Sequence, residues 1–176
     1  MKKLLSLSVV ATLLMGCSAA MQPAKEVSIP HQFDLAQVQK QLESGKETLK
    51  GNAFLRQKGG GTVNCAGATV DLYPYTPYSM ARIEAQYPFD MWIGGRFKSK
   101  DTFVPVVPQF ETLKKTTTCD SEGNFEFDSL KDGSYIVVTE VVWHVPGKYG
   151  MERQGGYLFK NVSVNKGNKS KVIITQ

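Results

Sequence analysis

The stretch Cys119-Asp120-Ser121-Glu122-Gly123-Asn124-Phe125-Glu126-Phe127, with Leu130-Lys131-Asp132-Gly133-Ser134-Tyr135-Ile136-Val137 just beyond it, decides the fold. Residues 120–123 have the composition of a turn, and Gly123 supplies the positive φ that a tight turn requires. After that turn apolar and polar residues alternate. The period of two places Phe125 and Phe127 on one face of a strand and Glu126 on the other. Asp132-Gly133 is a second turn, and a long β-rich run follows from Tyr135 to Trp143.

The same texture extends in both directions. Residues 68–73 alternate, with Val70 and Leu72 on one face and Asp71 on the other. Thr116, Thr117 and Thr118 raise the β propensity of residues 115–119. Residues 48–56 mix apolar and polar positions before the flexible loop at Gly59-Gly60-Gly61. Residues 157–164 and 171–175 read as strands on either side of Asn165-Lys166-Gly167-Asn168. Short strands with turn signals at this spacing predict an all-β sandwich over residues 47–176. The 176 residues, 41% hydrophobic and 21% charged, suffice for one core.

Two segments stand apart from this pattern. Residues 33–46 predict a short helix, with Asp34 as N-cap, Leu35, Val38 and Leu42 on one face, and Gly45 as the stop. Residues 74–114 carry Pro74, Pro77, Pro88, Pro105 and Pro108 and read as a long insertion. Within it, residues 79–86 suit a short helix and residues 101–107 an edge strand. The same region concentrates aromatic side chains. Tyr73, Tyr75, Tyr78, Tyr87, Phe89, Trp92 and Phe97 are seven of the chain's 18. Two readings stand. Either these rings form a mini-core that staples the insertion to the sandwich, or Tyr75, Tyr78, Tyr87 and Trp92 form an exposed binding surface.

At the amino terminus, Lys2 and Lys3 precede an apolar run over residues 4–15. The run is too short to span a bilayer and suits a signal peptide. Leu14-Met15-Gly16-Cys17 resembles the bacterial lipobox. The resemblance implies removal of residues 1–16 as a lipoprotein signal peptide and lipidation of Cys17, with residues 17–32 as a tether. Ser18 stands where Asp would signal inner-membrane retention, so the expected location is the outer membrane, facing the periplasm. The membrane is then a partner through Cys17. Loss of Lys2 and Lys3 lowers the net charge from +5 to +3. A charge so small and scattered does not point to nucleic acid. Cys65 and Cys119 remain as an even pair in an oxidising compartment, which predicts a disulfide.

Three segments carry a further resemblance. Gly51-Asn52-Ala53-Phe54-Leu55-Arg56, followed by Cys65-Ala66-Gly67-Ala68-Thr69-Val70-Asp71-Leu72-Tyr73-Pro74, resembles the opening of carboxypeptidase regulatory-like domains. The run from Cys119 to Phe127 is similar to their T-D-x-x-G-x-F-x-F hairpin, and Leu130 to Val137 to their L-x-x-G-x-Y-x-V element. The resemblance implies a seven-stranded Greek-key β-sandwich of the transthyretin-like type. It also implies a fold that usually carries no catalysis.

The chemistry-bearing residues are sparse. The chain has two histidines, His31 and His144, and neither has a Cys, Asp or Glu at ligand spacing. No Gly-x-Ser-x-Gly elbow is present. Asp120-x-Glu122-x-Asn124 invites a calcium reading, but Phe125 replaces the sixth-position Gly of an EF-hand and no closing Glu follows. The expectation is therefore a non-enzymatic protein without cofactor or metal. The segment from Lys148 onward holds six basic side chains against Glu152, which suits an anionic lipid or glycan, or simply solvated strand edges. The sequence predicts an outer-membrane lipoprotein that binds or scaffolds a protein partner. Secretion lipoproteins of the type VI system offer the analogy of a transthyretin-like sandwich on such an anchor. The alternative is a glycan-binding module that uses the aromatic insertion.

Overall fold

The computed structural model describes residues 24–91, 94–167 and 170–175. Cys17, the signal peptide at residues 1–16 and Trp92 lie outside the described residues. The chain is mostly β. In order it forms β1 (Glu26–Ser28), α1 (Leu35–Leu42), β2 (Glu47–Arg56), β3 (Thr62–Asn64), β4 (Thr69–Pro74) and α2 (Pro77–Gln86). The insertion continues with β5 (Phe89–Asp90), β6 (Gly95–Arg96), β7 (Thr102–Val104) and α3 (Pro108–Thr112). The chain then adds β8 (Lys115–Thr118), β9 (Asn124–Leu130), β10 (Gly133–Gly147), β11 (Gly150–Val164) and β12 (Ser170–Ile174).

One sheet runs β5-β6-β11-β10-β4-β8. In the other, β12 lies parallel to β2 on one side, while β9 and then β3 pair antiparallel with β2 on the other. The two sheets meet in a sandwich-like arrangement across one apolar cluster. Leu49, Ala53 and Leu55 of β2, Phe125 and Phe127 of β9, and Val172 and Ile174 of β12 enter it from one side. Val70 and Leu72 of β4, Tyr135, Val137 and Val141 of β10, and Leu158, Val162 and Val164 of β11 enter from the other. Alternation explains the set, since each strand sends every second side chain inward. Leu49, Gly51 and Ala53 share the inward face of β2, and the Phe125 ring lies directly over Gly51, where any Cβ would overlap it.

β10 departs from simple alternation. Tyr135, Ile136, Val137, Val138 and Thr139 are all buried in succession. Ile136 and Val138 point away from the sandwich core into a second cluster with Ile29, Tyr73, Tyr78, Ile83, Tyr87 and Phe110. The larger sheet is thus covered on both faces, by the second sheet on one and by the insertion on the other. A strand buried on both faces reads as a continuous apolar run, which is what residues 135–139 show.

The insertion is built rather than looped. Thr76 caps α2: its Oγ1 accepts from the Ser79 backbone at 2.9 Å, and Pro77 occupies the first helical position. α2 therefore begins two residues before the expected start at Ser79. The expected edge strand forms as β7, yet it pairs in parallel with β1 rather than with the sandwich. Residues 24–32, read from sequence as tether, are accordingly docked: Glu26–Ser28 is a strand, and Ile29 is buried. α1 is shorter than expected, although Asp34 caps it through a 2.9 Å bond from the Gln37 backbone. Gly45 is not its stop. It stands against the Leu130 and Lys131 backbone, where a Cβ has no room, and its N–H donates to the Ser129 carbonyl at 3.0 Å.

β10 and β11 pair over fifteen residues each, from Gly133 opposite Val164 to Gly147 opposite Gly150. β4 joins β10 only from Tyr135 to Thr139. β6 joins β11 at Tyr157, and beyond that point the hairpin continues as a two-stranded ribbon that exposes Tyr149 in its turn and Met151 beside it.

Candidate functional site

The residues singled out in the insertion separate into two environments. Tyr78 and Tyr87 are buried, at 1% and 5% exposure, so they form no binding surface. Ile136 and Val138 need cover on the second face of the sheet, and these rings supply it. Tyr73 stacks on Phe110 with centroids 5.0 Å apart, Tyr78 meets Phe33 and Phe110 edge-on, and Tyr87 lies 4.4 Å from Tyr157. The guanidinium of half-buried Arg82 rests 3.5 Å from the Phe103 centroid and pairs with Glu111 at 3.2 Å. Burial pushes the Tyr73 and Tyr87 phenols well above the usual range. Tyr75 alone of the described candidates reaches solvent, at 39% exposure, beside a hollow of about 190 Å³ shared with Ser134 and Asn161.

A larger feature lies elsewhere. An open groove of about 860 Å³ follows the outer face of β12, β2 and β9. Strand register arranges its floor in two rows. Lys171 of β12, Lys50 of β2 and Glu126 of β9 are successive cross-strand neighbours. One step along the strands, Ile173, Asn52 and Asn124 make the second row. Neighbours in a row are about 4.8 Å apart, and the rows roughly 6.8 Å apart. Thr117, Thr118 and Asp120 border the groove beyond β9.

Each group is held in place. Lys50 and Glu126 form an ion pair at 2.8 Å with both side chains substantially exposed, and the bond to Glu126 raises the Lys50 pKa. Asn52 Nδ2 donates to the Glu122 carbonyl at 3.0 Å and to Asn124 Oδ1 at 2.9 Å. Asn124 Nδ2 in turn donates to Asp120 Oδ2 at 3.1 Å. Asp120 Oδ1 accepts from the backbone of Glu122 and Asn124 at 2.9 and 2.8 Å. These bonds, those from Asn124 foremost, hold the Asp120 carboxyl below the usual carboxylate range. Asp120 thus acts as the clasp of the turn that sequence composition identified, and among the described residues no cluster of His, Cys, Asp or Glu could hold a metal ion.

The disulfide anchors the same corner. Cys65 and Cys119 are bonded, with Cα atoms 5.8 Å apart and both residues buried. Cys119 directly precedes Asp120, and its backbone exchanges hydrogen bonds with Gly67 and Ala68. The groove rim is therefore tied to the β3–β4 connection.

Chemically the groove offers carboxamide and carboxylate groups that donate and accept in a plane, an exposed apolar side chain in Ile173, and cations at one end. Asn52 keeps its Oδ1 without a partner among the described residues, and Lys171 has no carboxylate partner among them. Alternation marked Glu126 as outward. It could not bring Lys50, Asn52 and Lys171 beside it, because that requires knowing which strands pair.

No family model matches the chain, and no curated protein matches it. Among solved structures it is similar to a putative carbohydrate binding protein from Pseudomonas aeruginosa. That likeness has a TM-score of 0.67 and 24% identity, and covers 83% of this chain and 99% of that one. It establishes a shared β-rich fold. A minor pilin of Streptococcus agalactiae aligns at a TM-score of 0.36 and 16% identity, over 76% of this chain and 44% of its own. That alignment is too slight to support an argument.

Proposed function

We propose that the chain is a non-catalytic glycan-binding module, with the groove over β12, β2 and β9 as its site. The observation that carries this reading is the two-row lattice. Asn52, Asn124 and Glu126 present hydrogen-bonding groups on a rigid sheet face, and Ile173, 58% exposed, gives a sugar ring an apolar contact. Ordered carboxamides and carboxylates held by their own hydrogen bonds suit hydroxyl recognition, since little freedom is lost on binding. The fold shared with a putative carbohydrate binding protein supports the same reading.

In this account seven strands, β2, β4 and β8 to β12, make a Greek-key sandwich of the transthyretin-like type, and the insertion is a cover for its larger sheet. Lipid on Cys17 holds the module at the outer membrane, on the periplasmic side. A protein partner, the expectation drawn first from sequence, keeps one observation in its favour: the hairpin exposes Tyr149 at 90% in its turn and Met151 at 64% beside it.

The test is retention on a panel of immobilised bacterial glycans, compared with Asn52→Ala and Glu126→Ala. The reading expects retention of at least one glycan and loss of at least about tenfold in both variants, with unchanged circular dichroism. Failure to retain any glycan, or equal retention by the variants, would overturn it.

A further inference from the structure

Lys171 and Lys50 stand side by side on the outer face of a parallel strand pair. Like charges directly opposite one another oppose pairing, so the arrangement calls for a neutralising partner. Glu126 supplies one carboxylate, which the register gives to Lys50 at 2.8 Å, and Asp128, two residues along β9, adds a second anion near Lys50 but not near enough to pair with it. Lys171 is left without one among the described residues. A third ammonium joins this end of the sheet: Lys160 of β11 donates to the Ile173 carbonyl at 3.0 Å along the edge of β12. The groove is consequently polarised. Asp120 borders one end, and an excess of positive charge occupies the other.

From this we infer that the groove selects an acidic glycan, a sugar chain bearing carboxylates of the uronic-acid kind, with a carboxylate seated against Lys171 and Lys50. The inference rests on the glycan-binding reading and adds the substrate class. Ring hydroxyls face Asn52 and Asn124, the apolar edge of the ring lies on Ile173, and the carboxylate completes the charge balance that Glu126 leaves unfinished. A planar carboxylate accepts from two ammonium groups at once, and such charge-assisted bonds exceed neutral ones in strength.

Calorimetry with a galacturonic acid trisaccharide and its carboxyl-reduced, neutral galactose counterpart tests the inference. The acidic sugar is expected to bind about tenfold more tightly, the worth of one charge-assisted contact. Lys171→Gln should abolish most of that preference. Lys148→Gln, which removes the same charge at the exposed hairpin turn, should keep it. Raising the salt concentration should narrow the gap between the two sugars. Equal affinity for the acidic and neutral sugars would overturn the inference while leaving glycan binding intact. Binding of neither would also overturn it, and retention on the glycan panel then decides the glycan-binding reading separately.

Discussion

The Tyr135 hydroxyl donates to the Lys131 carbonyl at 2.9 Å, four residues upstream. It also accepts from Gln41 Nε2 at 2.8 Å, so one phenol ties α1, the Asp132-Gly133 turn and β10 together. The ring itself is fully buried in the sandwich core. Tyr135→Phe keeps the ring and removes the bonds, and should cost about 1 kcal/mol. In a chain of this size that is a fall in Tm of about 2–4 °C. Thermal unfolding of the single variant checks it.

The disulfide closes a long loop, with Cys65 and Cys119 separated by 54 positions. In the chain-entropy account such a link is worth about 4 kcal/mol. The Cys65→Ser, Cys119→Ser double variant should lose up to that amount in urea unfolding. It should also show faster amide exchange at residues 119–124 than the parent, because Cys119 holds the rim that Asp120 clasps.

The disulfide marks what the sequence made legible. The turn at Gly123, the inward Phe125 and Phe127 and the cysteine pair follow from alternation, turn chemistry and cysteine parity, and all appear in the structure. The site was less legible. For Tyr78 and Tyr87, set among prolines, the sequence left a mini-core and an exposed surface both open. They are core because Ile136 and Val138 leave an apolar face that the insertion covers together with Ile29 of the N-terminal segment. Lys50, Asn52, Glu126 and Lys171 are unremarkable outward strand residues until pairing of β2 with β9 and β12 makes them neighbours. Pairing across such distances is a property of topology, which local periodicity does not encode.

The two tyrosines differ in a way that can be measured. Tyr78→Ala should destabilise by about 3–5 kcal/mol, as for a large aromatic removed from a packed core. Tyr75→Ala should change stability by no more than about 0.5 kcal/mol. If Tyr78→Ala proved as mild as Tyr75→Ala, the second core would be wrong. Neither change should alter glycan retention per folded molecule.

Asp120 fixes a pH dependence. Its folded pKa is depressed by the bonds from Asn124 and Glu122. The contribution is therefore fully present above the ordinary aspartate value near about 3.9. It is lost as pH falls through the lower folded value. Carboxyl NMR should show Asp120 titrating below that ordinary value, and the turn at residues 120–124 should be indifferent to pH between neutrality and mild acid. Titration at or above the ordinary value would contradict the clasp.

The central claim is that the outer face of β12, β2 and β9 binds sugar. Amide NMR of the isotope-labelled chain, titrated with the galacturonic acid trisaccharide, tests it most directly. The account predicts saturable shifts at Asn52, Asn124, Glu126 and Lys171, including the side-chain amides of both asparagines. No shifts, or shifts confined to Tyr75 and the turn between β10 and β11, would contradict it.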